Sequence, residues 1–445
     1  MSTLVPFKAL RFNPDKISFI SGVTAPPYDV IGPDEEQELL DRDPHNVVRI
    51  TLGRTPSGGR SPEQYQEAAS VLQKWKSSGI LLTDNQPSLY LVEQQFDLRG
   101  KSYTRRGLIA ALLQEPLDEQ TIFAHERTRP HPTSDRHRLL QASRTVLSQI
   151  ITTSSDPDGN LFDMLKSAEH INPMLSFRDS EDVGYHIRRV QDPDFIKQLQ
   201  VEMKKQKLII ADGHHRYESA LAYGNENRPA EASRGSLPLD YVPILCISSN
   251  DPALKSLPTH RQVKVPDGFD RKHFLKNLSS LFAVRRIKTS DPDHLDERIA
   301  PLLENNQRFI CVLPDDRLLL MQPREPDTFV SRQSDVPPSA ALLPVNLLHR
   351  VLLPDLLNIE CNSSDEHRQV DFTRHASEVY WSVESGDYSL GFLMPPTSPG
   401  LVQELASSQH KLPPKTTYYH PKFPAGIVAY SHDDQDALQK HIQNP

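Results

Sequence analysis

Thirty-eight prolines run through this chain of 445 residues, and they restrict its architecture more than any other feature. A proline inside a helix removes a hydrogen bond and clashes with the preceding turn. A chain so rich in it is built from short elements, extended connections and turns, not as a helical bundle. The length allows two or three domains and a sizeable core. A hydrophobic content of 37% with 24% charged residues describes an ordinary, rather polar soluble protein.

The net charge of −8 argues against a general nucleic-acid binder and leaves room for a local basic pocket that takes a small anion. Cys246, Cys311 and Cys361 are scattered singly, with neither a disulfide framework nor paired zinc-ligand spacing. The opening stretch MSTLVPFKALRFNP lacks the apolar core of a signal peptide. No apolar run approaches the roughly 20 residues that span a bilayer. The expectation is a cytoplasmic protein with no membrane and no nucleic-acid partner; the oligomeric state is not legible.

Residues 53–62, 224–238 and 322–339 read as loops or linkers, and no internal repeat is found. Ser61, Pro62 and Gln64 form the start signal of a helix whose apolar face is Tyr65, Ala68, Ala69, Leu72 and Trp75, closed by Gly79. LYLVEQQF and YTRRGLIAAL, joined by DLRGKS, read as a β-hairpin. Leu139, Leu140, Ser143, Val146, Leu147 and Ile150 mark a second amphipathic helix, capped by Ser134 or Asp135. The C-terminal third mixes strands (RFICVLP, RLLLMQ, YSLGFLM) with helices near 342–358 and 399–408. The fold class is mixed α/β (α+β), with an unreadable strand order. The division expected is an N-terminal α/β region over 1–265 and a C-terminal α+β region over 266–445, whose loop 412–426 returns to the site. One continuous domain over 5–430 is the alternative.

The stretch KLIIADGHHRYESALAY (207–223) carries the strongest chemical signal. Leu208 to Ile210 suit a buried strand, Asp212-Gly213 a tight turn, and Tyr217, Ala220 and Leu221 the apolar face of a helix that stops at Gly224. His214, His215 and Arg216 then fall in the first turn of that helix. There, free N–H groups and the positive end of the dipole favour an anion. Three basic side chains oppose the dipole by roughly 0.3–1 kcal/mol each, and a bound anion would explain them. Two other readings stay open: Asp212 as a simple N-cap with solvated histidines, and a metal held by His214 and Glu218, one helical turn apart.

Two further segments are dense in polar groups. FAHERTRPHPTSDRHRLL (123–140) carries His125, Glu126, Thr128, Asp135 and Arg136 and reads as a loop before a helix. Its carboxylate among bases suits a general base or a magnesium contact. A solvated salt-bridge network is the alternative. LPPKTTYYHPKFPAG (412–426) places Lys415 and Lys422 around Thr417 on a proline-stiffened loop able to hold phosphates, or merely to line a surface. APPYDVI (25–31) presents Tyr28 and Asp29, and LPTHRQV (257–263) adds His260 and Arg261. No P-loop, dinucleotide fingerprint or protein-kinase signature is found.

Together these pieces resemble domain of unknown function 1015. They are Pro26-Pro27-Tyr28-Asp29-Val30, His125-Glu126-x-Thr128 with Asp135-Arg136, Asp212-Gly213-His214-His215-Arg216-Tyr217, Thr259-His260-Arg261, and Pro413-Pro414-Lys415-x-Thr417-x-Tyr419-x-Pro421-Lys422. Thr416 departs from the family's usual serine, and Phe372 lies where a tyrosine is usual nearby. The Asp-Gly-His-His-Arg turn is also similar to the phosphate-binding turn of the ParB and sulfiredoxin-like superfamily, which includes free serine kinases. That resemblance implies a ParB/sulfiredoxin-like core and ATP-dependent phosphorylation of free L-serine to O-phosphoserine, which feeds cysteine synthesis. His214 stands where a sulfiredoxin needs cysteine, and no DNA-binding module is evident. What the resemblance implies for the site is a catalytic set of Glu126, Asp212 and His214. Gly213, His215, Arg216, Lys415, Thr417 and Lys422 would hold phosphates or nucleotide. Tyr28, Asp29, His125, Thr128, Arg136, His260 and Arg261 would contact substrate. ATP and Mg2+ are the implied cofactors, with the metal ligands unknown. A nucleotide-binding regulator without turnover and a metal-dependent hydrolase are the other two function classes.

Overall fold

The computed structural model describes residues 2–53, 60–126, 130–289, 291–305, 307–360 and 369–435, with the side chains of 130–132 excepted. The chain forms two compact units, each discontinuous in sequence. Met1–Ala124, Thr128–Lys255 and Pro421–Pro445 make the first, and His125–Arg127 with Ser256–His420 the second. The class is mixed α/β, as the alternation of signals along the sequence indicates. Among the described residues no helix is long and apolar enough to cross a membrane.

The first unit is built on a nine-stranded sheet. Its strands run in the order Ile122–Ala124, Leu208–Asp212, Ile150–Ser154, Tyr241–Ser248, Lys101–Leu113, Leu89–Leu98, Gly184–Val190 and Leu175–Arg178, with Leu4–Val5 also paired to Lys101–Leu113. Leu208–Asp212 lies parallel to Ile122–Ala124, and Tyr241–Ser248 parallel to Ile150–Ser154; the other pairs are antiparallel. One face of the sheet packs Leu108, Ala110 and Ile244 against Leu161 and Leu165, Leu199 and Met203, and Tyr217 and Ala220 from three helices. The hairpin forms as its alternation predicts, with Tyr90 opposite Ile109 and Leu98 opposite Lys101.

The helix Pro62–Ser77 begins where its start signal places it. Ser61 donates its backbone N–H to Gln64 Oε1 at 2.8 Å, and Tyr65, Ala68, Leu72 and Trp75 are buried in a second core. Residues 54–59 of the first expected linker lie outside the described residues.

Three local expectations change. The segment 123–140 is not one loop: Ile122–Ala124 is a strand, and Pro130–Ser143 is a helix in which Ser134 and Asp135 are interior, not caps. That helix ends before Val146, Leu147 and Ile150: Val146 and Ile150 lie in the strands Thr145–Val146 and Ile150–Ser154, and Leu147 in the link between them. An apolar spacing shared by a helix end and the strand after it imitated one longer helix. Second, Gly224 does not stop its helix, which continues to Asn227. A Cβ at Gly224 would lie 2.9 Å from the Leu239 carbonyl oxygen, so the missing side chain serves a close approach of the 238–240 turn. Third, the expected linker 322–339 contains the helix Pro326–Arg332, whose Phe329 packs on Phe282 with ring centroids 5.2 Å apart.

The second unit carries a six-stranded antiparallel sheet in the order Phe282–Ile287, Arg317–Pro323, Phe309–Leu313, Leu390–Leu393, His260–Val263 and Val370–Thr373. Val379, Tyr380 and Val383 of the helix Ala376–Glu384 cover it. The helix expected near 342–358 forms as Pro344–Leu347 followed by a wider-wound π-helical stretch, Leu348–Leu356, that contains Pro354. Pro399–Ser407 is the last helix of this unit.

Candidate functional site

The strand Leu208–Asp212 ends in a bulge. Ile210 faces Thr152, but the next partner pair is Asp212 with Ile151, so one residue is inserted and the strand end is re-aimed. Gly213 follows with φ +95°, a conformation that costs a glycine little and other residues about 1–3 kcal/mol. Gly213 is the N-cap of the helix His214–Asn227, and the first helical bond runs from the Tyr217 N–H to the Gly213 carbonyl at 3.0 Å. The N–H groups of His214, His215 and Arg216 thus precede the helical ladder. Asp212 is not the cap, and His214 is buried while His215 is half-buried, so the picture of a capping aspartate with two solvated histidines is corrected.

Arg216 explains the turn's sequence. Its side chain folds back one helical turn, and Nη2 donates to Asp212 Oδ2 at 2.6 Å. Nη1 donates to Ser148 Oγ at 2.9 Å and to the Gln149 carbonyl at 2.5 Å. The guanidinium lies against the Gly213 Cα, where a Cβ would come within 2.9 Å of Nε, Cζ and Nη2. Aspartate, glycine and arginine are therefore needed together. Arg216 is only 9% exposed, and its Nε–H has no hydrogen-bond partner among the described residues. Tyr217, next in the chain, is buried and supports the helix from beneath. Its hydroxyl donates to the Glu115 carbonyl at 2.7 Å and accepts from the Glu115 N–H at 3.0 Å.

Lys422 completes the cluster from 210 residues away: its ammonium donates to Asp212 Oδ1. Asp212 thus meets a guanidinium on one oxygen and an ammonium on the other, in surroundings where the Asp212 and Lys422 side chains are 10% and 12% exposed. The backbone around Lys422 is fixed by residues that the motifs do not contain. Arg105 Nη2 donates to the Pro421 carbonyl and to Gln94 Oε1, the latter at 2.6 Å, while Gln94 Nε2 donates to the Lys422 carbonyl at 3.3 Å. Arg105 is buried, and burial lowers its guanidinium pKa to about 10. The only sequence trace of this role is a pair of arginines inside an apolar strand, one of which must face inward.

Tyr28 and Arg136 meet elsewhere in the same unit, with the guanidinium 3.9 Å from the ring centroid. Arg136 also donates to Asp135 Oδ2 at 2.8 Å and to the Thr51 carbonyl at 2.9 Å, and Tyr65 donates to Asp135 Oδ1 at 2.8 Å. Burial works to raise the Asp135 pKa, but Arg136 and the hydrogen bonds outweigh it and hold the group low. Asp29 is exposed.

In the second unit, His125, Glu126 and Arg261 converge on the loop 412–417. His125 is buried, its Nε2 2.8 Å from Thr417 Oγ1, and its carbonyl accepts from the Leu412 N–H at 2.8 Å. Glu126 Oε2 accepts from the Lys415 N–H at 3.1 Å. Arg261, fully buried, donates to the carbonyls of Pro414 and Lys415 at 3.3 and 3.2 Å. Lys415 itself sits at φ +55°, in the left-handed region that a lysine occupies only when its surroundings impose it. The Thr416 hydroxyl donates to the Pro413 carbonyl at 2.6 Å, a bond that the family's usual serine would equally make. His260 Nδ1 accepts from the Met394 N–H at 3.0 Å, and burial lowers its pKa against the pull of Asp296. Thr128 lies outside the described residues. Among those residues no group of three or more His, Cys, Asp or Glu side chains is placed to hold a metal, so His214 and Glu218 have no third ligand there.

Fold and site define a mixed α/β protein with a strand–turn–helix ion-pair cluster. The chain belongs to the family described as protein of unknown function (DUF1015), whose model matches residues 4–345. No curated protein sequence matches it. Among solved structures it is similar to a conserved hypothetical protein from Pyrococcus furiosus, at 13% identity and TM-score 0.33, over 71% of this chain and 94% of that one. A free serine kinase in complex with AMP is similar at 11% identity and TM-score 0.34, over 70% and 88% of the two chains. SbnI with a C-terminal truncation, from Staphylococcus aureus, is similar at 10% identity and TM-score 0.35, over 73% and 90%. At these TM-scores neither activity nor ligand carries over.

Proposed function

We propose that the turn Asp212–Arg216 seats the phosphates of a nucleotide and that the protein is an ATP-dependent small-molecule kinase, with free L-serine the first acceptor to test. The observation that carries the phosphate seat is the Arg216 Nε–H. A buried donor left without a partner costs about 1–3 kcal/mol, and this one lies against the N-cap of a helix. An anion at that N-terminus would satisfy it, at the positive end of the helix dipole. The choice of ATP and serine rests on the resemblance of the Asp-Gly-His-His-Arg turn to that of free serine kinases.

In this reaction the serine hydroxyl oxygen bonds to the γ-phosphorus while the bond from that phosphorus to the β,γ-bridging oxygen breaks. ADP leaves, and the hydroxyl proton passes to a carboxylate. Such transfers depend mainly on positioning and charge stabilisation. Lys422 can exchange its contact with Asp212 for a phosphate oxygen, and the departure of its ammonium frees Oδ1. Mg2+ supplies charge neutralisation on the phosphates when bound, and Asp212 is the carboxylate of this turn able to hold it. The assignment of Glu126 and Asp212 as the carboxylates of this reaction rests on the resemblance.

Purified protein with Mg-ATP and L-serine, followed by mass detection of O-phosphoserine, tests the reading. Product should form in the wild type, and Glu126→Gln should lose turnover by roughly 10²–10⁴-fold while still binding ATP. Failure of the wild type to bind ATP or ADP at millimolar concentration would remove the phosphate seat. Nucleotide binding without product from any small hydroxyl acceptor would leave a regulatory nucleotide-binding protein.

A further inference from the structure

We propose that Arg105 and Gln94 are positioning residues for Lys422. They form a cross-strand pair that fixes the backbone of Pro421 and Lys422 and so delivers the ammonium to Asp212. This deepens the phosphate-seat reading, since it assigns what places the mobile cation of that seat.

The argument starts in the hairpin. Gln94 and Arg105 stand directly opposite one another in the register of Leu89–Leu98 and Lys101–Leu113. Both are buried, at about 1% exposure. Arg105 Nε and Nη2 both donate to Gln94 Oε1, at 3.1 and 2.6 Å, which fixes the amide so that its NH2 points away from the guanidinium. The fixed Nε2 donates to the Lys422 carbonyl, and Arg105 Nη2 also reaches the Pro421 carbonyl. Tyr185, on the neighbouring strand, donates its hydroxyl to Asp179 Oδ2 at 2.8 Å and packs beside the Lys422 carbonyl without bonding it. Two consecutive peptide carbonyls are thus held by two side chains of adjacent strands.

Burying a guanidinium carries a large desolvation penalty, and a well-packed apolar side chain is often as stable in such a place. Here the arginine donates to two neutral oxygens, Gln94 Oε1 on the paired strand and the Pro421 carbonyl 316 residues away. Its geometry matches the need of a long, flexible lysine. With four side-chain bonds to rotate, Lys422 reaches Asp212 repeatedly only if its own backbone is stationary.

The test uses the full-length chain and limiting acetic anhydride, with acetylation of each lysine read by mass spectrometry and exposed Lys197 as internal reference. In the wild type, Lys422 should label slowly. Asp212→Asn should raise its relative rate roughly tenfold, as expected for loss of a charge-assisted contact. Arg105→Lys and Gln94→Met should raise it to a similar degree in protein whose circular dichroism is unchanged, and adding either to Asp212→Asn should have no further effect. A merely structural role would lower the melting temperature and leave the Lys422 rate where it was. Wild-type protection of Lys422 in the folded variants would overturn the proposal, as would protection that survives Asp212→Asn. If Arg105→Lys does not fold, Gln94→Met carries the test alone. The phosphate seat fails separately, on nucleotide binding by the wild type, and that outcome would not alter the labelling result.

Discussion

Lys422 and Asp212, 210 residues apart in sequence, form an ion pair at the N-terminus of the helix that carries the Asp-Gly-His-His-Arg motif. Arg216 holds the other oxygen of the same carboxylate. Within the motif, glycine makes room for the arginine that anchors the aspartate, while Ser148 and Gln149 hold the far side of its guanidinium. Lys422 is the cation brought from outside.

Removing that component should weaken nucleotide binding without unfolding the protein. Lys422→Ala is expected to raise the dissociation constant for Mg-ATP by about tenfold or more, equivalent to roughly 1.4 kcal/mol. Isothermal titration calorimetry reads the change, and Lys422→Arg should recover part of it. An unchanged constant in Lys422→Ala would separate the lysine from the phosphate seat.

Gly213→Ala should fail for two reasons that add. The backbone sits at φ +95°, and the new Cβ would lie 2.9 Å from the Arg216 guanidinium. A cost of about 1–3 kcal/mol follows from the backbone alone. Urea unfolding gives the stability, and the Asp212–Arg216 contact should be lost with it. A variant as stable as the wild type would show that the turn is not as described.

Tyr217→Phe separates support from binding. Its hydroxyl both donates to and accepts from the backbone of Glu115, and its buried position raises its pKa through desolvation. Removing the oxygen leaves two backbone groups without that partner, at a cost of about 1–3 kcal/mol. Nucleotide affinity of the folded fraction should stay at the wild-type value. A tenfold loss of affinity with full stability would place the hydroxyl in the site instead.

His432 gives the stability a pH dependence. Burial, aided by the nearby Arg144, lowers its pKa to about 4, and neither ring nitrogen has a hydrogen-bond partner among the described residues. In the unfolded chain the imidazole titrates near 6.5. Between these values the unfolded state binds the extra proton, so stability falls as pH drops from about 6.5 toward about 4, by at most roughly 3 kcal/mol. His432→Phe should keep the stacking on Tyr223, where the rings are 5.4 Å apart, and remove this component. Equal acid sensitivity of the two melting curves would assign the effect to other groups.

Much of the local structure is readable from residue order, because its causes are local. Ser61 and Gln64 start a helix through contacts three residues apart. The hairpin follows from alternation and a tight turn. The strand ending at Asp212 and the helix opening at His214 follow from an apolar run, a glycine and a new period. The errors arise where a local pattern had two solutions. Val146 and Leu147 fit a helical face yet belong to a strand and the link after it, since the helix Pro130–Ser143 ends first. Gly224 looked like a stop until the Leu239 carbonyl against it gave another reason for its bareness.

The sequence by itself determined the strand–turn–helix, with the tight turn at Asp212-Gly213 and His214, His215 and Arg216 in the first helical turn. Each of these is fixed by residues within four positions of one another, where chain geometry leaves little choice. Only the tertiary structure decided that Lys422 meets Asp212, that Arg105 and Gln94 hold the backbone of Lys422, and that His125, Glu126 and Arg261 secure the loop at Lys415 within their own unit. Those contacts depend on which strands pair and where a distant segment returns. Such choices follow from the burial of whole faces, to which no short motif contributes enough to be recognised.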